Sequence, residues 1–167
     1  MSRIKGTHCA LLSYPLISVD PYTSVWSFAD ELNADVTRHW TGKEQALLGV
    51  VDVDGVSYRF MGKETPEEGA SVRFATAARQ LSVNVLPTQT YYTFECGPVL
   101  LDVVFTAPLL LDDLDRMSMP VNYISWQVRS ADQKKHEVRV SVEAFSSLAV
   151  NTEDQAVMVE REVENGI

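Results

Sequence analysis

The strongest constraint on this chain is a two-residue hydrophobic period, broken by turn residues every ~8–12 positions, as in an antiparallel sandwich or barrel. Helical periodicity is almost absent; only residues 30–39 and 63–78 leave room for a turn or two of helix. Residues 47–53 and 56–62 flank Asp54-Gly55, a pair suited to a tight hairpin because both central residues of a type I′ turn need positive φ. Residues 79–86 put Leu81, Val83 and Val85 on one face, and Pro87-Thr88 ends the run. Residues 89–96 put Tyr92, Phe94 and Cys96 opposite Tyr91, Thr93 and Glu95; Gly97-Pro98 then turns the chain into 99–106, where Val99, Leu101, Val103 and Phe105 alternate with Leu100, Asp102 and Val104. Residues 121–129 align Ile124, Trp126 and Val128, and residues 136–145 align Val138, Val140 and Val142, with a polar loop at 130–135 between them. A last strand is expected at 156–164. The expected fold is therefore all-β, an antiparallel β-sandwich of about eight strands with an irregular N-terminal segment. Residues 1–46 form that segment, wrapping across the sandwich or packing on a neighbour, and 47–167 form the sandwich.

Composition narrows the function. The chain has 167 residues, 46% hydrophobic and 22% charged, which is ordinary for a globular domain. A net charge of −9 repels phosphate backbones and anionic lipid, so neither nucleic acid nor a membrane surface is an expected partner. No apolar run approaches the ~18–20 residues that span a bilayer. The first ten residues are polar and basic, and no apolar stretch of signal-peptide type follows. At the other end, Asn165-Gly166 signals a hairpin without a return strand, so a longer parent chain is expected.

Few residues offer chemistry of their own. No serine sits in a G-x-S-x-G elbow. Cys96 ends an apolar strand face and reads as a buried structural thiol, whereas Cys9 lies in an irregular stretch. His8, His39 and His136 show no metal-ligand spacing, so no metal site is expected. Asp112, Asp113 and Asp115 lack the glycine and distal glutamate of a calcium loop and read as a solvated turn. No pair of carboxylates is singled out by spacing for acid–base work, so no catalytic residue is nominated. One segment is unlike plain sandwich. Residues 18–43 concentrate Trp26, Arg38, His39, Trp40 and Lys43 where periodicity is poor, and loops with such groups often bind ligands. The competing reading makes Trp26 and Trp40 core plugs and pairs the cations with Asp30, Glu31 or Asp35.

These residues also carry a resemblance. Tyr14-Pro15-Leu16-Ile17, Asp20-Pro21-Tyr22, Val25-Trp26-Ser27-Phe28, Arg38-His39-Trp40-Thr41-Gly42-Lys43 and Tyr58-Arg59-Phe60-Met61-Gly62 resemble the N-terminal region of the glutaminase A family. The later segments Tyr91-Tyr92-Thr93-Phe94-Glu95, Thr106-Ala107-Pro108-Leu109-Leu110-Leu111-Asp112-Asp113 and Pro120-Val121-Asn122-Tyr123-Ile124-Ser125-Trp126 fit in the same order. The resemblance implies a secreted or periplasmic enzyme, longer than this chain, that hydrolyses the glutamine side-chain amide to glutamate and ammonia. It also implies an N-terminal β-sandwich packed on a C-terminal helical toroid that carries the main catalytic groups, with no cofactor. This chain would then be the sandwich, inactive alone, with Trp26, Arg38, His39, Trp40 and Lys43 at the substrate rim or the domain interface.

Two alternatives stand beside it. Tyr22, Trp26 and Trp40 suit a stacking platform in a carbohydrate- or protein-binding module, and sandwich-plus-toroid architectures also host glycosidases. If a partner domain is missing, an apolar patch or unpaired edge near residues 156–164 is expected, with self-association of the fragment.

Overall fold

The computed structural model describes residues 12–63, 75–150, 152, 155–158 and 160. The strands, in chain order, are β1 (Tyr14–Ser18), β2 (Ser24–Ser27), β3 (Arg38–His39), β4 (Leu47–Val53), β5 (Val56–Met61), β6 (Thr76–Ala77), β7 (Arg79–Leu86), β8 (Gln89–Cys96), β9 (Val99–Thr106), β10 (Tyr123–Ser130) and β11 (Val138–Ala144). A one-turn helix, α1 (Leu114–Met117), and a 3-10 turn at Ser146–Leu148 are the helical elements among the described residues. Two four-stranded sheets, ordered β10-β9-β8-β7 and β11-β4-β5-β6, face each other, and a small sheet β1-β2-β3 is added at one end. The fold is the all-β antiparallel sandwich that the alternation predicts.

The β4–β5 hairpin forms as its turn residues require, with φ of 49° at Asp54 and 84° at Gly55. Strands β8 and β9 pair without a register shift from Gln89↔Thr106 to Cys96↔Val99. Their inward rows, Tyr92, Phe94 and Cys96 against Leu101, Val103 and Phe105, are fully buried. Phe60 of β5 meets Phe94 of β8 across the sheets at 5.9 Å between ring centroids, and within the β10-β9-β8-β7 sheet Tyr92 of β8 meets Phe105 of β9 edge-on at 6.0 Å. Such pairs add about 0.5–1.5 kcal/mol beyond area burial. Gly49 on β4 makes room for the Phe60 ring, which a Cβ there would overlap.

The N-terminal segment is more ordered than its pattern suggests. Tyr14–Ser18 and Ser24–Ser27 pair antiparallel, and β3 joins them through Val25↔His39 and Trp26↔Arg38. Such short strands leave too few residues to establish a period, so pairing partners decide them. Residues 30–39 form no helix; 30–37 make a turn-rich loop at one corner of the sandwich and 38–39 are β3. Asn33, fully buried, donates from Nδ2 to Arg59 O at 2.9 Å and to Ala78 O at 2.8 Å. Ala78 lies where the chain crosses from β6 in one sheet to β7 in the other. Beside it, Gln80 accepts from Leu32 N at 2.9 Å and donates to Asp30 O at 2.8 Å.

Other departures are local. Leu81 shares a bulge with its neighbours, as the register shifts between Gln80 and Ser82, and it faces solvent. Trp126 stands on the inward row of β10, opposite Val103, yet is 50% exposed because β10 is an edge strand. Ala156, Val157, Met158 and Glu160 lie outside any strand; the rest of the expected 156–164 strand, Asn165-Gly166, residues 64–74, His8 and Cys9 lie outside the described residues.

Replacing Asn33 by Ala takes the side-chain donor from Ala78 O and one of the two donors from Arg59 O, which keeps Ala78 N, and should cost about 1–3 kcal/mol. Urea unfolding reads this as a lower midpoint at unchanged slope, and Gln80→Ala, at a more exposed bond, should cost less.

Candidate functional site

The concave feature nearest the sequence-predicted segment is a cleft of about 510 Å³. It opens between β1, the β7–β8 turn and the connection from β9 to β10. Its base reaches the core at Leu16 and Phe105, one wall is Trp26, another is Leu86-Pro87, and Met117, Met119 and Val121 form a lip. Among the described residues no ionisable side chain lines it. Two of its polar side chains are already engaged: Thr90 Oγ1 donates to Pro15 O at 2.6 Å, Gln89 Nε2 donates to Thr106 Oγ1 at 3.1 Å, and Gln89 Oε1 accepts from the Tyr91 hydroxyl. The cleft can bury apolar groups. It holds no acid, base or cation with which to hydrolyse an amide or grip a carboxylate.

The five residues singled out from sequence divide between two places. Trp26 is half-buried in the cleft wall, its Nε1 donating to Ser24 Oγ at 2.7 Å. Arg38, His39, Trp40 and Lys43 sit on the tight hairpin that begins with β3, where Gly42 takes a φ of 92°. Arg38 Nε reaches Asp35 at 3.4 Å and its Nη2 reaches Glu44 at 3.3 Å. His39 Nε2 and Trp40 Nε1 both lie 2.8 Å from Pro21 O. A carbonyl only accepts, so both donate, and His39 Nδ1 receives the Thr41 backbone N–H. Lys43 Nζ donates to Val150 O at 2.7 Å, tying the hairpin to the chain that follows β11. Trp40 is 56% exposed, so of the two tryptophans neither is a core plug. Trp26 and Arg38 are cross-strand partners, but Trp40 and Lys43 do not line the cleft.

Sequence reading missed most of the cleft. The usable signal lay in the apolar run Pro108-Leu109-Leu110-Leu111 inside a loop, followed by Met117 and Met119. The neighbouring aspartates are structural: Asp113 caps α1, accepting from Arg116 N at 3.0 Å and pairing with the Arg116 side chain at 3.2 Å. Among the described residues no group of three or more His, Cys, Asp or Glu is placed to hold a metal ion. Cys96 is free, and burial pushes its thiol up to about 12, which makes it a poor nucleophile near neutral pH.

A titratable cluster lies at the other end of the sheets. His136 Nδ1 is 2.6 Å from Asp54 Oδ2 and its Nε2 is 2.8 Å from Asp132 Oδ1. Two carboxylates that accept from both ring nitrogens favour the imidazolium. The hydrogen bond to Asp132, then that to Asp54, raises His136 above its ordinary value; the same hydrogen bonds lower both aspartates. Asp54 Oδ1 also accepts from Glu137 N at 2.9 Å, so the cluster clasps the β4–β5 turn to the start of β11.

With the fold and cleft in place, comparison with known proteins defines the class further. Residues 7–72 match a family described as "Domain of unknown function (DUF4964)", and residues 88–167 match "Domain of unknown function (DUF5127)". The chain is similar to Glutaminase A of Aspergillus oryzae, 27% identical over 134 residues. The match covers 75% of this chain and 18% of that protein, so the chain spans under a fifth of its relative's length. No solved structure matches the chain.

The clasp sets a pH dependence. His136, raised on folding, contributes fully below about pH 6.5, its unfolded value, and less as pH climbs through the folded value. The lowered aspartates contribute above about 3.8 and lose that contribution as pH falls through their folded values. His136→Gln should therefore cost most stability between about pH 4 and 6.5 and progressively less above it. Thermal unfolding of both proteins across pH 3–9 checks this.

Proposed function

We propose that this chain is the non-catalytic N-terminal β-sandwich of a glutaminase A-like amidohydrolase, exported to the periplasm or medium, and that it packs on a helical domain of the same parent chain. The similarity to Glutaminase A over 134 residues carries the reading. Two features support it. Among the described residues the cleft is lined by no ionisable group for amide hydrolysis, and the two matched segments, 7–72 then 88–167, together span nearly the whole chain. In this reading the reacting groups belong to the partner domain. Trp26 belongs to the domain interface, and Trp40 with His39 forms an aromatic rim toward the partner's site. Arg38 and Lys43 hold that rim in place through Asp35, Glu44 and Val150 O.

The test is glutamine hydrolysis, followed by ammonia release, for residues 1–167 and for the longer parent chain. The short chain should be silent and the long one active. Sustained turnover by 1–167 alone, or a parent gene that stops at Ile167, would overturn the proposal. In an active parent, Trp40→Ala should raise KM for glutamine with little loss of thermal stability, because its side chain is largely exposed.

A further inference from the structure

The connection from β9 to β10 is built unlike the rest of the chain. Leu109, Leu111, Leu114 and Met119 are all more than half exposed, and α1 buries none of its residues. This arm is nonetheless held in place: Ala107 N donates to Thr88 O at 2.9 Å, and Asn122 Oδ1 accepts from Ser18 N at 3.3 Å. Its apolar side chains continue into the cleft, whose lip is Met117, Met119 and Val121. A fixed apolar ridge beside a cleft of neutral lining, half of it polar, has the make-up of an interface. Methionines at the lip can adapt to a partner's shape. A small-molecule site would instead be expected to gather convergent polar groups, and here Gln89 and Thr90 are bonded within the chain.

We infer that the cleft and the 109–121 arm together are the seat of the remaining part of the parent chain, and that this part presents an aliphatic face with a basic rim. The inference rests on the functional reading above. Two observations choose this occupant. More than four-fifths of Glutaminase A lies outside the matched part, far more chain than is needed to cover the arm. The arm's charged residues are Asp112, Asp113, Asp115 and Arg116, an acidic excess at its edge that calls for basic neighbours.

Hydroxyl-radical footprinting of residues 1–167 and of the longer parent chain, read by mass spectrometry, tests the assignment. Leu111, Leu114 and Met119 should label roughly tenfold more slowly in the longer chain, as side chains in a desolvated interface core do. Val56, half-exposed beside the Asp54-Gly55 turn away from the cleft, should label equally in both. Equal labelling of the arm in a longer chain that hydrolyses glutamine would overturn this surface and leave the functional reading standing. Protection in a longer chain that lacks the activity would do the reverse. Concentration-dependent protection within 1–167 itself, with a dimer in sedimentation velocity, would assign the face to a second copy and overturn the inference.

Discussion

The structure depends on satisfying the backbone where the chain passes from one sheet to the other. At that corner Arg59 O accepts from Ala78 N at 2.8 Å and from Asn33 Nδ2 at 2.9 Å, while the same amide nitrogen donates to Ala78 O. A buried carbonyl without a donor costs as much as a lost hydrogen bond. An irregular loop can therefore enter the interior only if its side chains replace the ladder. Asn33, Gln80 and Thr37 do so; Thr37 Oγ1 donates to Gln45 O at 2.6 Å and accepts from Leu47 N at 2.8 Å, anchoring the start of β4. Leu32, inserted by this loop, then joins the same core as Phe60 and Phe94.

The arrangement separates polar chemistry from the concave surface. His136 with its two aspartates, Arg38 with Asp35 and Glu44, and Lys43 with Val150 O each fasten a loop or hairpin. The cleft is left to aliphatic, aromatic and neutral polar groups. The strongly shifted Cys96 and Tyr92 owe their shifts to burial and line no part of it.

Much of the fold was legible in the residues. The bounds of β4, β7, β8 and β9 follow from alternation and from Asp54-Gly55, Pro87-Thr88 and Gly97-Pro98; in β8 and β9 every second residue is buried, so a one-residue slip would expose the whole row. The first three strands were not legible, being two to five residues long, too short to show a period of two. The site was legible only in part. Trp26 could be singled out by its surroundings, but its place in the cleft wall depends on β1, the β7–β8 turn and the arm, which meet there from separate parts of the chain.

The sequence alone therefore determined the fold class, the hairpin register and the inward rows of Tyr92, Phe94, Leu101, Val103 and Phe105, since a period of two in side-chain direction is a local property of the extended backbone. Only the tertiary structure decided that Trp126 on an inward row is half-exposed, that Trp40 is outside the core, and that Leu109 lines a cleft of neutral groups. Burial depends on what lies opposite a side chain, and that is set by contacts between distant segments that no local pattern records.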